Sequence, residues 1–159
     1  MHKIICLLAL VGHVLATVPS YLERGEIIAK LTKIRQDVQP PASNMNMLSY
    51  SEEMEKLASD WLTRCSFGYP SPSTYPAFNG TGMLLRKVAN SRLRFQVVSY
   101  AAKQAKNYKY DDNTCSGSCK KYKLLVWAAS TEVGCAIAKC PDQNTSKDLY
   151  YMACVFNHA

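Results

Sequence analysis

Cysteine is the residue that most constrains what this chain can fold into. Six of its seven cysteines lie beyond residue 16, at positions 65, 115, 119, 135, 140 and 154. An even number of cysteines in a small secreted domain predicts disulfides, here three, but the count leaves their pairing open. A structural zinc site is the competing interpretation, because the spacings Cys115-x3-Cys119 and Cys135-x4-Cys140 would suit one. In an oxidising compartment we favour the disulfides.

The N-terminal residues 1–16 are typical of a secretory signal peptide. Lys3 supplies a positive charge, the apolar run after it is too short to span a bilayer, and small residues precede a cleavage point after Ala16. We therefore expect residues 1–16 to be removed and residues 17–159 to form a single extracellular domain without a transmembrane segment. A buried N-terminal helix is the alternative for the same residues.

Histidine is scarce in a way that excludes several kinds of site. The chain has three histidines, at positions 2, 13 and 158, so cleavage after Ala16 would leave only His158. One histidine cannot form a His-pair metal site within a chain, and it leaves little room for a Ser-His or Cys-His dyad. The run Ser130-Thr131-Glu132 lies in a predicted turn and does not form a dyad. A hydrolase is therefore the weakest hypothesis, and we expect no enzyme activity.

Two Asn-x-Ser/Thr sequons follow the leader, at Asn79-Gly80-Thr81 and Asn144-Thr145-Ser146. Neither has proline at the middle position, and both lie among loop-forming residues. In a secreted chain these features predict glycosylation at Asn79, at Asn144 or at both.

Hydrophobic periodicity predicts helices in the first two thirds of the chain. Apolar residues at 27, 31, 34 and 38 form one helical stripe within residues 21–38. A second stripe follows Ser51, a suitable N-cap, and runs to Cys65. Residues 68–82 are rich in proline and glycine and predict a long loop, whereas residues 84–110 are predicted to be mostly helical.

The last third of the chain changes to strand patterns. Tyr122–Ala129 is a continuous apolar run that predicts a central strand, and residues 133–139 and 149–156 predict two more. A turn at residues 141–144 would join these last two. Helices followed by hairpin-linked strands predict an α+β fold, with the helices packed on the sheet.

Several motifs resemble a known family. They are Leu125–Thr131 running into Val133-Gly134-Cys135, the final Tyr150–Cys154, and upstream Pro41–Met45 and Trp61–Gly68. Together they resemble the CAP superfamily (SCP/TAPS; cysteine-rich secretory proteins, antigen 5, pathogenesis-related 1), and in particular the venom allergen-like proteins of parasitic worms. The resemblance covers about residues 22–156. It implies a three-layer α-β-α sandwich with a mainly antiparallel sheet, and the disulfides Cys65–Cys140, Cys115–Cys119 and Cys135–Cys154.

The family resemblance also implies a cleft, lined in many members by two histidines and two glutamates that hold a divalent metal. Carried across motif by motif, those positions fall on Tyr69, Thr81, Gln104 and Lys121. Hydroxyls and an amide are poor zinc ligands, and a protonated lysine has no lone pair to donate. We therefore expect no metal and no cofactor in this chain.

The first functional hypothesis is a secreted binding protein that carries a lipid. The resemblance implies a sterol site in a loop with the pattern aromatic-x-aromatic-x4-aromatic. Tyr108 and Tyr110 supply the first two positions, but the third is Cys115, so the motif is incomplete. The resemblance also implies a fatty-acid channel between helices. The alternative for the apolar helix faces is an ordinary core.

The second hypothesis is recognition of an anionic surface. The chain has a net charge of +7, and six lysines recur within a short stretch: Lys103, Lys106, Lys109, Lys120, Lys121 and Lys123. They predict a basic patch for glycosaminoglycan or anionic membrane, with an ordinary solvated helix face as the alternative. Binding to host proteins is implied only by the resemblance, and nucleic acid is not expected as a partner of a secreted chain.

Overall fold

The computed structural model of this protein describes residues 14–89, 95–142 and 147–159. Its α-helices are α1 (Tyr21–Gln36), α2 (Glu52–Leu62), α3 (Val97–Ala102) and α4 (Lys120–Leu125). Its strands are β1 (Ala16–Thr17), β2 (Ser49–Tyr50), β3 (Gly82–Val88), β4 (Tyr108–Lys109), β5 (Thr114–Cys115), β6 (Glu132–Pro141) and β7 (Asp148–Phe156).

Five of these strands form the central sheet, in the order β1-β6-β7-β3, with β2 also paired to β6. The β6–β7 hairpin is the centre of the sheet, with a register from Val133 opposite Phe156 to Pro141 opposite Asp148. Pairing is antiparallel throughout except between β2 and β6. The strands predicted at residues 133–139 and 149–156 are therefore confirmed.

Helices cover both faces of this sheet. Helices α1, α3 and α4 pack on one face, where Leu31, Val98 and Leu125 are buried in a single apolar cluster. Helix α2 packs on the other face through Ala58 and Leu62. The predicted α+β, three-layer α-β-α sandwich is confirmed.

The first two helices form where the sequence predicts them. Ser51 caps α2, because its side-chain oxygen accepts a hydrogen bond from the main-chain N–H of Met54 at 3.4 Å. The segment 68–82 is mostly loop, interrupted by a 3₁₀ turn at Pro76–Phe78, and β3 begins at its last residue.

The prediction of a mostly helical segment over residues 84–110 is wrong. Gly82–Val88 is strand β3, which pairs with β7, and the only α-helix described in this part is the short α3, followed by a 3₁₀ segment at Lys103–Asn107. Leu84 and Val88 face one apolar cluster while Met83 and Leu85 face the other. Because both faces of β3 are covered, the strand lacks the alternation of polar and apolar residues that identifies a half-buried strand.

The central strand predicted at Tyr122–Ala129 is also wrong, because the run begins inside helix α4. Tyr122 and Leu125, three residues apart, are both buried, which is helical spacing. Trp127, by contrast, is 45% exposed. A short continuous apolar run fits a strand or a buried helix equally well until its tertiary contacts are known.

Three disulfides are present, and they are the pairs that the family resemblance implies. Cys135–Cys154 joins β6 to β7, Cys65–Cys140 joins the end of α2 to the sheet across 75 residues, and Cys115–Cys119 closes a short loop. The first two pairs tie together the sheet and its α2 layer. Across the described ranges, no helix is both long and apolar enough to span a membrane.

Candidate functional site

One concavity among the described residues is an aromatic groove of about 580 Å³ between the β4–β5 hairpin and the loop after α4. It is lined by Tyr108, Tyr110, Asp111, Asn113, Lys123, Val126, Trp127, Ala128 and Ala129. Both candidate sterol-loop tyrosines are therefore in its wall. Tyr110 is 58% exposed, so its ring is accessible from solvent.

The hairpin wall of the aromatic groove is held by ring contacts. Tyr108 packs on Tyr122 of α4 with ring centroids 5.9 Å apart, and its hydroxyl donates to Asn113 Oδ1 at 3.3 Å. The Lys123 ammonium lies 5.7 Å from the centroid of the Tyr108 ring. Cys115, the residue at the third position of the incomplete sterol motif, is bonded to Cys119 and ties the hairpin to the start of α4.

The other wall depends on Arg35, a buried residue of α1 that sequence reasoning missed. Its guanidinium donates to four main-chain carbonyl oxygens, at distances of 3.0 to 3.3 Å, those of Asn46, Leu125, Ala128 and Ser130. It is 3% exposed, and burial lowers the pKa of this guanidinium. Arg35 therefore fixes the loop that carries Trp127. Its signal in the sequence was a charged residue beside an apolar helical stripe, which is an ordinary surface pattern.

Two of the four degenerate cleft positions are in direct contact. Gln104 Oε1 accepts a hydrogen bond from the main-chain N–H of Lys121 at 3.0 Å, and Gln104 Nε2 donates to Ser118 Oγ at 3.2 Å. Lys121 Nζ donates to the carbonyl oxygen of Leu85 at 3.2 Å. Gln104 thus anchors the start of α4, and Lys121 ties α4 to β3.

The other two positions lie in the loop after α2. Thr81 donates its hydroxyl to the carbonyl oxygen of Phe78 at 2.9 Å, within its own turn, and Tyr69 is exposed. Part of the set predicted from the motifs is therefore joined by hydrogen bonds, but the side chains present are hydroxyls, an amide and an ammonium. They do not fit a divalent metal, because an ammonium repels it and the others bind it weakly.

No cluster of three His, Cys, Asp or Glu side chains suited to a metal occurs within residues 14–89, 95–142 and 147–159. Ser130, from the run considered for catalysis, is fully buried, and its hydroxyl donates to the carbonyl oxygen of His158 at 2.6 Å. That proton is engaged by main chain, not by a side-chain base.

The six lysines of the candidate basic patch point to different places. Lys103, Lys106, Lys109 and Lys120 are exposed, the first three on and just after the 3₁₀ segment. Lys121 and Lys123 lie on α4 but contact different rings, those of Tyr100 and Tyr108 respectively. The fold therefore divides these charges between two regions.

A smaller cavity of about 150 Å³ lies between α1 and the residues that lead into α3. Its described lining is Glu23, Glu26, Ile27, Lys30, Phe95, Gln96 and Val98. Three of these residues, Glu23, Glu26 and Lys30, have acidic or basic side chains.

The structure describes only one of the two sequons, the one at Asn79. Asn79 is exposed and directly follows the Pro76–Phe78 turn, so its side chain is accessible to glycosylation. Asn144 lies outside the described residues. Glycosylation at either position stays a prediction.

The family model described as the Cysteine-rich secretory protein family, CAP, matches residues 28–156. GLIPR1-like protein 1 of Mus musculus is 30% identical over 115 residues, which cover 69% of this chain and 49% of that protein. Venom allergen 5 of Dolichovespula arenaria is 26% identical over 159 residues, 86% of this chain and 75% of that protein. The chain spans about half the length of the first relatives that it matches.

Solved structures show the same architecture. Venom allergen-like protein 4 of Schistosoma mansoni superimposes with a TM-score of 0.67 at 25% identity, covering 85% of this chain and 87% of that one. A structure of NaASP2 with Zn²⁺ gives a TM-score of 0.62 at 18% identity, covering 90% and 85%. With the family match, the disulfides and the α-β-α layers in agreement, this chain belongs to the CAP, or cysteine-rich secretory protein, family.

Proposed function

We propose that this protein is a secreted, non-enzymatic binding protein that holds a sterol or similar apolar ligand in the aromatic groove. The observation that carries the proposal is the position of Tyr108, Tyr110 and Trp127 around one open concavity. Exposed large apolar side chains gathered at one concave surface are typical of ligand sites.

Size favours the aromatic groove over the cavity between α1 and α3. Small-molecule sites usually measure roughly 300 to 1,000 Å³. The groove, at about 580 Å³, lies within that range, whereas the described part of the α1–α3 cavity, at about 150 Å³, lies below it. A fatty acid also needs a long apolar channel, and the lining there includes Glu23, Glu26 and Lys30.

The groove also provides polar groups for one end of an amphipathic ligand. Lys123 and Asp111 line its rim and could hydrogen-bond a hydroxyl, while Val126 and the aromatic rings would contact the apolar body. Aromatic side chains lose little rotamer entropy on binding, so they suit a flat ligand.

Secretion and the absence of catalysis are part of the same proposal. The exported form would begin at Thr17 after removal of residues 1–16, and its three disulfides suit an oxidising compartment. Binding without turnover agrees with the engaged hydroxyl of Ser130 and the non-ligating side chains in the cleft. Any interaction with host proteins would then depend on the surface of this protein or on the ligand that it carries.

The experiment is a binding titration with dehydroergosterol, a fluorescent sterol. Trp127 is in the groove wall and 45% exposed, whereas Trp61 is 6% exposed and lies in the α2 cluster. We expect saturable energy transfer from Trp127 to the sterol. A Tyr110→Ala variant should weaken binding by about tenfold, as expected for loss of an aromatic contact at a binding site.

Tyr21→Ala is the matched control, since Tyr21 is an exposed aromatic residue of α1 that lines a different concavity, of about 700 Å³, so a loss of affinity there would place the sterol outside the aromatic groove. Unchanged sterol affinity in Tyr110→Ala, or equal losses in both variants, would contradict the proposed groove. Mass spectrometry of lipids extracted from the native secretion is the second measurement. A stoichiometric lipid supports carriage, and a lipid-free protein argues against it.

A further inference from the structure

A second surface, separate from the aromatic groove, lies at the free edge of the sheet. Strand β3 pairs only with β7 among the described strands, so its other edge is open. Three cationic side chains lie there: Arg86 and Lys87 of β3 and Lys121 of α4. We call Arg86 and Lys121, with Tyr100, the β3 edge surface.

The ring of Tyr100 brings two of these charges together. The Arg86 guanidinium carbon lies 4.4 Å and the Lys121 ammonium 5.1 Å from the centroid of that ring. Since both distances end on one ring, the two charges lie within about 10 Å, roughly one Debye length at 0.1 M salt. The third cation, Lys87, lies on the other face of β3, 4.8 Å from the centroid of the Phe67 ring.

No carboxylate neutralises these charges. All twelve acidic residues of the chain fall within the described ranges, and no ion pair there involves Arg86, Lys87 or Lys121. Like charges within a Debye length repel one another. A bound anion would remove that repulsion, so the surface is electrostatically arranged for an anion.

The donors suit an oxyanion in particular. The Arg86 guanidinium lies over the Tyr100 ring and makes no hydrogen bond to the described residues, so its planar fork of donors can form two parallel hydrogen bonds to an oxyanion. Lys121 uses one ammonium proton on the Leu85 carbonyl oxygen, which fixes its position and leaves two protons. The Leu85 carbonyl oxygen therefore orients the ammonium.

We propose that the β3 edge surface binds the phosphate or sulfate group of an ester through Arg86 and Lys121. Lys121 occupies the position at which the family resemblance implies a metal-binding histidine. Lysine in place of histidine at this position does more than remove a metal ligand. It also reverses the charge that the cleft attracts, from positive to negative. This site is independent of a sterol in the aromatic groove.

The test is titration with inorganic phosphate and, in parallel, inorganic sulfate, followed by NMR of the Arg86 Nε–H and the Lys121 main-chain N–H. We expect saturable shifts at both groups. Arg86→Gln, which breaks no hydrogen bond to the described residues, should weaken phosphate binding by about tenfold, the cost of one charge-assisted contact. Lys121→Gln should do the same and keeps an N–H for the Leu85 carbonyl oxygen.

Lys106→Gln and Lys109→Gln are the charge-matched controls, because they lower the net charge equally outside the β3 edge surface. Equal weakening in the controls, or no saturable shift at Arg86 and Lys121 with either anion, would overturn the proposal. Tyr110→Ala should leave phosphate binding unchanged, which separates this result from failure of the sterol proposal.

A second arm distinguishes a soluble ester from a lipid headgroup. Phosphatidylcholine vesicles with and without phosphatidic acid are sedimented with wild-type and Arg86→Gln protein. Retention that needs phosphatidic acid and Arg86 assigns the site to a lipid headgroup. Binding of free phosphate without such retention assigns it to soluble esters.

Discussion

The two faces of the central sheet use the same strands in different ways. On one face, α2 lies so close to β6 that a Cβ atom on Gly134 would be 2.0 Å from the main-chain nitrogen of Glu55. The end of α2 is then joined to the sheet by Cys65–Cys140. On this face, close approach of the two backbones and a disulfide hold α2 against the sheet.

The other face is covered by α1 and by two short helices, α3 and α4, joined by 3₁₀ and loop segments. It carries both candidate sites, the aromatic groove and the β3 edge surface. Here buried or half-buried polar contacts, such as those of Arg35 and Gln104, hold loops in place. The comparison teaches that both faces bury an apolar core, while the face of α1, α3 and α4 also presents the candidate binding loops.

Substitution of Gly134 is the strongest way to break this comparison. Gly134→Ala would force its Cβ against the main chain at Glu55 and Ser51, so α2 must move away from the sheet. We expect a loss of unfolding free energy of about 4 kcal/mol or more, measured by chemical denaturation. Gly25→Ala in α1 is the control, since a Cβ there meets nothing within 4 Å. It should stabilise the helix by roughly 0.5 to 1 kcal/mol.

Removal of disulfides compares the faces directly. Replacing Cys65 and Cys140 by alanine opens a loop of 75 residues and should cost about 4 kcal/mol by the chain-entropy model. Replacing Cys115 and Cys119, separated by 4 residues, should cost only about 2 kcal/mol and instead weaken binding at the groove. Equal losses of melting temperature in the two double variants would contradict this division.

Arg35 sharpens the comparison on the binding face. Arg35→Met removes a donor from four buried or half-buried carbonyl oxygens, of which, within the described residues, only that of Ala128 keeps another, the main-chain N–H of Asn46. We expect about 3 kcal/mol of destabilisation, with loss of sterol binding as the loop carrying Trp127 loosens. Lys33→Met, an exposed residue of the same helix, should change stability by less than about 0.5 kcal/mol. Full sterol affinity in a folded Arg35→Met protein would show that Arg35 does not position the groove.

The smallest expected effect is on the pH dependence of stability and arises from Tyr50. Tyr50 donates its hydroxyl proton to Glu55, and burial together with this bond raises the pKa of Tyr50 well above its usual value. Folding therefore favours the protonated phenol. This contribution is complete below pH 10, where the unfolded tyrosine keeps its proton, and it declines as the pH rises above that value.

Denaturation at pH 9 and pH 11 tests this sign. The wild type should lose up to about 1.4 kcal/mol per pH unit from this residue above pH 10, and Tyr50→Phe should lose correspondingly less. The same dependence of unfolding free energy on pH in both proteins would show that Tyr50 does not cause it.

The sequence by itself determined the elements whose local pattern has one interpretation. Helix α2 combined an N-cap at Ser51 with a clear apolar stripe, and the strands β6 and β7 flanked a turn. The motifs around Trp127 and Gly134 carried the family resemblance, and with it the disulfide pairs found in the structure.

Only the tertiary structure decided the ambiguous segments and the sites. Strand β3 and the segment Tyr122–Ala129, which begins in helix α4, are both short and mainly apolar, and their identity depends on which neighbours cover them. Arg35 and Arg86 resemble surface residues in the sequence, yet one is buried among carbonyl oxygens and the other stacks on Tyr100. Periodicity reports which faces of an element are apolar, whereas a site depends on distances between residues far apart in the chain, which no local pattern contains.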